Sequence, residues 1–484
     1  MNRLLIRKAA CFLAAIALTA AVSSCSSNNE STDSPEPTVG AEQEQRVITL
    51  ITTPLEPNIA HAASEYNNAH KDIFIKSTEL KADENFINKI VTGLSVGEGP
   101  DIIVIDPLLF PAVSKVAASG IFYDLNELIA GDKEFKLPDY NTKVLDYGVI
   151  DGKRYFIPIS YNFLGFYAKK GELEKNGLIT EGPQYNLKNF VDFACSYMEA
   201  NNNEGKYFAC TISGLLCSDF VKISGVPIID INKKETRFSS PEFIEVLNMY
   251  KKFAGTIRKI DYSEIGSTGT SGYGSIFKCK IPEFESGNCL IVDNRSLMGW
   301  AKSDFNLDTE LYLYPSYYGE SKILLQPAVS YGINVNCKYK EDTYDFISQL
   351  ISEKYQGSTV REGTTANFNK MSFYIPVNND AFLLDATFGF GNVRIDGNMS
   401  ESERIAKNKE LFEDIKNFSK PDAKRTEWNR ALLNRIEELG ECDRVDPVVY
   451  EIIDEECEPF LEGKKTAEQT ASIIEDKIRL YMYE

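Results

Sequence analysis

The sequence predicts an α/β protein built on a doubly wound, largely parallel sheet. Short apolar runs alternate with segments of helical period from Arg46 onward. The run Ile102-Ile103-Val104-Ile105 is continuously apolar, as suits a strand covered on both faces of a parallel sheet. Hydrophobic residues make up 43% of the 484, enough for substantial cores.

The elements follow in order. Residues 47–51 read as a first strand. Pro57 then suits the first turn of a helix, where its missing N–H costs nothing. Ile59, Ala62, Ala63 and Tyr66 fall on one face of that helix. Ile73-Phe74-Ile75 reads as the second strand. Phe86, Ile87, Ile90, Val91 and Leu94 stripe a second helix, broken by Gly97-Glu98-Gly99-Pro100. Residues 101–105 form the third strand. This β-α-β-α-β order is a doubly wound unit. Its ligand ends are the carboxyl ends of the strands, which makes Thr52-Thr53 and Asp106-Pro107 candidates for a site.

Ahead of this body, Arg3, Arg7 and Lys8 precede an apolar stretch over 9–22, and no acid occurs before Glu30. The stretch is shorter than the roughly 20 apolar residues a membrane-spanning helix needs. A basic flank, a short apolar core and small residues at a cut describe a signal peptide over 1–24. Val22-Ser23-Ser24-Cys25 resembles the bacterial lipobox, which implies cleavage before Cys25 and diacylation of its thiol. Residues 26–45 hold five acids, no base and only Val39 and Ala41 as apolar side chains. Such a segment cannot bury enough apolar area to offset its ordering entropy, so 25–45 reads as a tether. Its mean span as a coil is roughly 25 Å.

Removing the signal leaves roughly 460 residues, room for about three domains or two large lobes. The formal charge of −19 disfavours nucleic acid and anionic lipid as partners. Of ten cysteines, Cys11 leaves with the signal and Cys25 takes the lipid. The other eight include no C-x-x-C pair, which argues against a zinc knuckle or redox motif. Cys289 and Cys337 sit in apolar runs, where cysteine acts as a small hydrophobe. The sequence shows no disulfide pairing. Only two histidines exist, His61 and His70, so a Ser-His-Asp triad has little material. H-E-x-x-H, G-x-S-x-G and phosphate-loop motifs are absent. No catalytic residue, metal or cofactor is assigned. Carboxylates are plentiful, and a glycosidase pair stays open on counting alone.

Several segments in order resemble the family 1 extracellular solute-binding proteins of ABC importers, the maltose-binding-like group. The first is Gly97-Glu98-Gly99-Pro100-Asp101 before the apolar strand, with Gly120-Ile121-Phe122-Tyr123-Asp124-Leu125 after the next helix. Gly152-Lys153-Arg154-Tyr155-Phe156-Ile157-Pro158 resembles the strand entering the first interlobe crossing. Phe284 to Val292 resembles a second-lobe strand, with Trp300 shortly after. Ser330-Tyr331-Gly332-Ile333-Asn334-Val335 resembles the return crossing, and the helix with Phe346, Ile347, Leu350 and Ile351 follows. Ile375-Pro376-Val377-Asn378 matches a late segment. Thr466 and Gln469 are spaced as a capping box before a closing helix that carries Ile474, Ile478 and Tyr481 on one face.

The resemblance implies a type II periplasmic-binding-protein-like fold, with two doubly wound lobes and a ligand cleft at the hinge. Lobe 1 is then 46–160 with 325–355, and lobe 2 is 161–324 with 356–484. It also implies a monomeric, lipid-anchored, outward-facing receptor on a Gram-positive-like surface, with ABC permease subunits as partners and a carbohydrate as cargo. Sugars offer apolar C–H faces to aromatic rings and hydroxyls to Asp, Asn and Arg. On that basis the candidate ligand residues are Thr53, Asp106, Tyr161, Asn162, Asn294, Arg295, Trp300 and Tyr331. Where maltose-type binders carry an Asp-Arg pair and an aromatic, this chain has Leu108, Leu109 and Ile105. These departures remove the first-lobe half of a maltose-type site and leave other sugars, oligosaccharide in size by family, as the expected cargo. The alternatives are the same fold binding a peptide, polyamine or organic cation, the last favoured by acidity and 25 tyrosines. A surface glycosidase or a sensor without transport would be different in class.

Overall fold

A computed structural model of the chain describes residues 45–52, 57–80, 90, 92–94, 96–107, 110, 112–201, 204–211, 214–230, 233, 235–259, 284, 286–293, 309–319, 321–356, 375–383 and 423–483. Cys25, the signal, nearly all of the tether, Thr53, Leu108, Leu109, Asn294, Arg295 and Trp300 lie outside these residues.

The labelled strands are β1 (Arg46–Thr52), β2 (Ile73–Glu79), β3 (Ile102–Ile105), β4 (Phe156–Pro158), β5 (Ser160–Phe163), β6 (Phe166–Lys169), β7 (Tyr207–Thr211), β8 (Ile257–Lys259), β9 (Cys289–Asp293), β10 (Thr309–Tyr312), β11 (Ile323–Pro327), β12 (Ser330–Ile333), β13 (Ile375–Pro376) and β14 (Gly440–Cys442). The principal helices are α1 (Pro57–Ala69), α2 (Val113–Ala118), α3 (Leu187–Asn201), α4 (Cys217–Ser224), α5 (Pro241–Ala254), α6 (Lys340–Ile351), α7 (Ala423–Leu439), α8 (Pro447–Leu461) and α9 (Ala467–Tyr483).

The first sheet has the order β2-β1-β3-β12-β4. Strands β1, β2 and β3 run parallel, as the alternation of apolar runs and helices predicts, whereas β12 is reversed and pairs antiparallel with both β3 and β4. Asp101 fixes the β1–β3 register. Its carboxylate accepts from the Thr49 N–H at 2.8 Å and from Thr49 Oγ1 at 2.7 Å. Thr49 Oγ1 in turn accepts from the Asp101 N–H at 3.0 Å. The second sheet repeats the pattern as β8-β7-β9-β6-β10: three parallel strands, then two antiparallel ones. The fold is thus mixed α/β with two doubly wound sheets.

A third sheet, β13-β5-β11-β14, joins them. The chain leaves the first sheet through β4, passes into β5, and reaches the second sheet at β6. It returns through β11 into β12. Gly165, in the link from β5 to β6, allows close backbone approach, since a Cβ there would lie 2.9 Å from the Tyr312 carbonyl.

Each of the two large sheets has its own core. Ile59, Ala62, Ala63 and Tyr66 of α1 bury their stripe in one core with β1, β2 and α6, where Phe346, Ile347, Leu350 and Ile351 are also buried. The second core gathers α3, α4, α5, α8 and α9 around β6, β7 and β9. A smaller third cluster lies on the other face of the first sheet, with Ile103, Ile105, Phe110, Val113, Val116 and Phe156. Residues 375–382 and 432–436, which the resemblance places with lobe 2, contribute Ile375, Val377, Phe382, Leu432, Leu433 and Ile436 to the first core. They pack there because β13 and β14 complete the joining sheet.

Candidate functional site

Strand alternation sorts the crossing residues into two faces. Ile157, Ile159, Tyr161 and Phe163 turn into the first core. Pro158, Ser160 and Asn162 therefore turn away from it. Directly paired residues share a face, so Ser330, opposite both Pro158 and Ile105, and Gln326, opposite Asn162, join them. The Ala328 N–H bonds to the Ser160 carbonyl at 2.9 Å, which closes the ladder between the two crossings. A polar row of Ser330, Ser160, Gln326 and Asn162 results.

The row is buried and under-bonded. Ser160 Oγ, Ser330 Oγ and Gln326 Nε2 have no hydrogen-bond partner among the described residues. A buried polar atom without a partner costs about 1–3 kcal/mol. Asn162 Oδ1 accepts from the Phe163 N–H at 2.8 Å, while its amide nitrogen donates to no described residue. Asp106 is 8% exposed, and its carbonyl accepts from the Phe110 N–H.

A second polar cluster ties α2, on the first sheet, to the C-terminal helices on the second. Asp446 precedes Pro447 at the start of α8 yet caps nothing with its side chain. Its Oδ1 accepts from the N–H and hydroxyl of Ser114, at 3.0 and 2.9 Å. Its Oδ2 accepts from the Tyr481 hydroxyl at 2.8 Å. Lys115 donates to the Tyr481 carbonyl and lies 3.9 Å from its ring centroid. Arg444 donates to the carbonyls of Asp146 and Val149. Beside them the Tyr450 hydroxyl donates to Asp443 Oδ1 at 2.9 Å, under Lys222 at 3.9 Å from the ring. Burial pushes the Asp443 carboxyl and the Tyr450 and Tyr147 phenols upward, and the Cys442 thiol up to about 12.

The candidates of the sequence divide accordingly. Asn162 lies on the polar row, whereas Asp106, one position beyond Ile105, falls on the opposite face by the same alternation and is 8% exposed. Tyr161 and Tyr331 are core residues, 0% and 2% exposed, because their strand positions face the first core. The Tyr161 hydroxyl lies near Asn141 without a well-formed hydrogen bond. Thr53, Asn294, Arg295 and Trp300 fall outside the described residues. Ser114, Lys115, Asp446 and Tyr481 are not legible in the sequence as a unit, since their contacts span more than 300 positions. Of the two histidines, His70 stacks on Tyr66 at 3.9 Å and its Nδ1 contacts the Tyr66 carbonyl, a packing role.

Among the described residues no group of three His, Cys, Asp or Glu side chains could hold a metal ion. No described helix is long and apolar enough to cross a membrane. A cavity of about 690 Å³ opens between β10 and α7, lined by Lys170, Tyr185, Glu310, Tyr312, Leu432 and Arg435. None of the sequence candidates lines it.

No family model and no curated relative matches the chain. Solved structures do. An ABC substrate-binding protein from Listeria monocytogenes in complex with cycloalternan is similar at a TM-score of 0.57 and 15% identity, over 91% of this chain and 100% of that one. A cyclic α-maltosyl-1,6-maltose binding protein from Arthrobacter globiformis is similar at 0.55 and 18%, over 90% and 99%. The sugar-binding protein MalE from Xanthomonas citri is similar at 0.60 and 11%, over 90% and 97%. At these identities the likeness establishes the fold, which is that of the type II, maltose-binding-like solute-binding proteins.

Proposed function

We propose that this chain is the substrate-binding lipoprotein of an ABC importer, which captures a carbohydrate between two lobes and delivers it to a membrane permease. The observation that carries the reading is the polar row where β12 meets the joining sheet, in a fold shared over 90% of the chain with proteins such as the sugar-binding MalE. Two lobes that meet around a ligand need polar groups at the hinge, and Ser160, Ser330, Gln326 and Asn162 supply hydroxyl and amide partners there. Asp106 adds an acceptor for sugar hydroxyls. The ligand's extra contacts in the closed form set the degree of closure. Thr53, Asn294, Arg295 and Trp300 complete the site in this reading. Tyr161 and Tyr331 support it from behind as core residues.

The chain binds and does not turn over its ligand. Cys25 carries the lipid, and residues 26–45 keep the folded body within reach of the permease, facing outward. The departures at Ile105, Leu108 and Leu109 direct the expectation away from maltodextrin toward another oligosaccharide.

A thermal-shift screen across oligosaccharides, peptides, polyamines and organic cations tests the reading. A cognate sugar at a hundredfold excess over its dissociation constant stabilises by about 2.7 kcal/mol. A shift with cations or peptides and none with sugars would replace the cargo while keeping the receptor. Accumulation of cleaved sugar on prolonged incubation would replace the receptor with an enzyme.

A further inference from the structure

Two thiols meet in the second core. Cys217 opens α4 and Cys457 lies on α8, both nearly fully buried in one cluster. The two helices are held in register by Ser218. Its N–H donates to Asp454 Oδ1 at 2.8 Å and its hydroxyl to Asp454 Oδ2 at 2.7 Å. Cys457 follows Asp454 by three positions, so both project from one face of α8. Cys217 directly precedes Ser218. The Cys217 and Cys457 thiols are neighbours, and each is buried in the same cluster. The Tyr250 phenol, which donates to the Leu215 carbonyl at 3.1 Å, neighbours both.

We infer that Cys217 and Cys457 form a disulfide that staples α4 to α8. Each thiol loses its proton and the pair loses two electrons as the S–S bond forms. The electrons and protons pass to a disulfide oxidant, which is reduced to two thiols. The source of that oxidant rests on the proposed export, since disulfides persist in oxidising compartments. The closure itself does not. Closure needs the two sulfurs, which lie in one buried cluster, to approach to about 2.05 Å. The cross-link would close a loop that takes in about half the chain, and long loops are where a covalent tie restricts the unfolded ensemble most. Burial, followed by contact with Cys457, pushes the Cys217 thiol well upward. The folded pair is thus a poor nucleophile for exchange, and oxidation belongs to folding rather than to the finished molecule. The remaining described cysteines offer no comparable partner. Cys210, for example, directs its sulfur to the Ile291 carbonyl at 3.7 Å.

The test is a cysteine map of the full chain refolded in a glutathione and glutathione-disulfide buffer. Free thiols are alkylated under denaturing conditions without reductant. Peptides containing Cys217 and Cys457 are expected joined, two hydrogens lighter than their sum. Reductant should lower the melting temperature of this protein but not of Cys457→Ser, in which Cys217 is recovered alkylated. Recovery of both cysteines alkylated, or each as a separate glutathione adduct, with oxidised glutathione in excess would overturn the inference. Mapping the same chain taken from the surface of expressing cells decides the matter if refolding fails. An alkylated pair there, in protein shown to be processed at Cys25, would also overturn it. Because the refolded map does not depend on export, a lost cross-link and a lost export reading are told apart.

Discussion

Asp446 stands where a helix cap is expected, and its carboxylate is instead shared between Ser114 and Tyr481. A local preference worth about 1 kcal/mol gives way to three hydrogen bonds to partners far along the chain. Asn162 presents the opposite case, with a side chain turned away from the first core. Asp106→Ala and Asn162→Ala are each expected to weaken sugar binding by about 1–3 kcal/mol in calorimetric titration, with the unliganded fold retained. Unchanged affinity in both would remove Asp106 and Asn162 from the site. Glu451 gives a pH prediction. Burial, then the charges of Glu455 and Asp454, raise its carboxyl from 4.5 to about 7. A raised acid stabilises the fold fully below its unfolded value and loses that contribution as pH rises through the folded one. Between about pH 4.5 and about pH 7, Glu451→Gln should therefore lose less melting temperature than the parent chain. Parallel profiles would show that Glu451 does not titrate in this range.

Elements whose stabilisation is local are legible in the sequence. The α1 stripe is buried as its spacing requires, and Thr466 and Gln469 form a reciprocal capping box at 3.0 and 3.2 Å. The parallel strands β1, β2 and β3 follow from the alternation of apolar runs. The antiparallel pairing of β12 and β4 does not, because nothing local in 330–333 states which strand it will meet. Backbone approach at such junctions is also invisible in sequence. A Cβ at Gly148 would lie 1.8 Å from the Phe156 carbonyl, beside β4. Gly148→Ala is expected to cost about 3 kcal/mol in chemical denaturation, since backbone must move. Gly152 has a positive φ of 77° with open space around it, and Gly152→Ala should cost only about 1 kcal/mol. Equal costs would mean that the approach at Gly148 relaxes freely.

At the scale of the molecule, two sheets of the same winding are connected by a third, and α2 reaches α8 and α9 through Ser114, Lys115, Asp446 and Tyr481. In the proposed receptor these contacts favour approach of the two lobes. Asp446→Ala is expected to enlarge the unliganded radius of gyration in small-angle scattering, and added sugar should restore compaction. An unchanged radius would assign the cluster to static packing.

The sequence by itself determined the α/β class, the parallel strands β1 to β3, the α1 stripe and the acidic character of the chain; Phe86, Ile87 and Val91 of the second expected stripe lie outside the described residues. These depend on period, propensity and charge, which neighbours in sequence carry. It also supplied Asp106 and Asn162 as candidates, because strand ends and crossings can be placed from local pattern. Only the tertiary structure decided which face each crossing residue shows. A shift of one position along a strand turns Tyr161 into the core and Asn162 onto the polar row, and only pairing with β11, β12 and β13 fixes that choice. The contact of Asp446 with Ser114 and the meeting of Cys217 with Cys457 were decided there too, since each joins segments hundreds of residues apart that local chemistry cannot bring together.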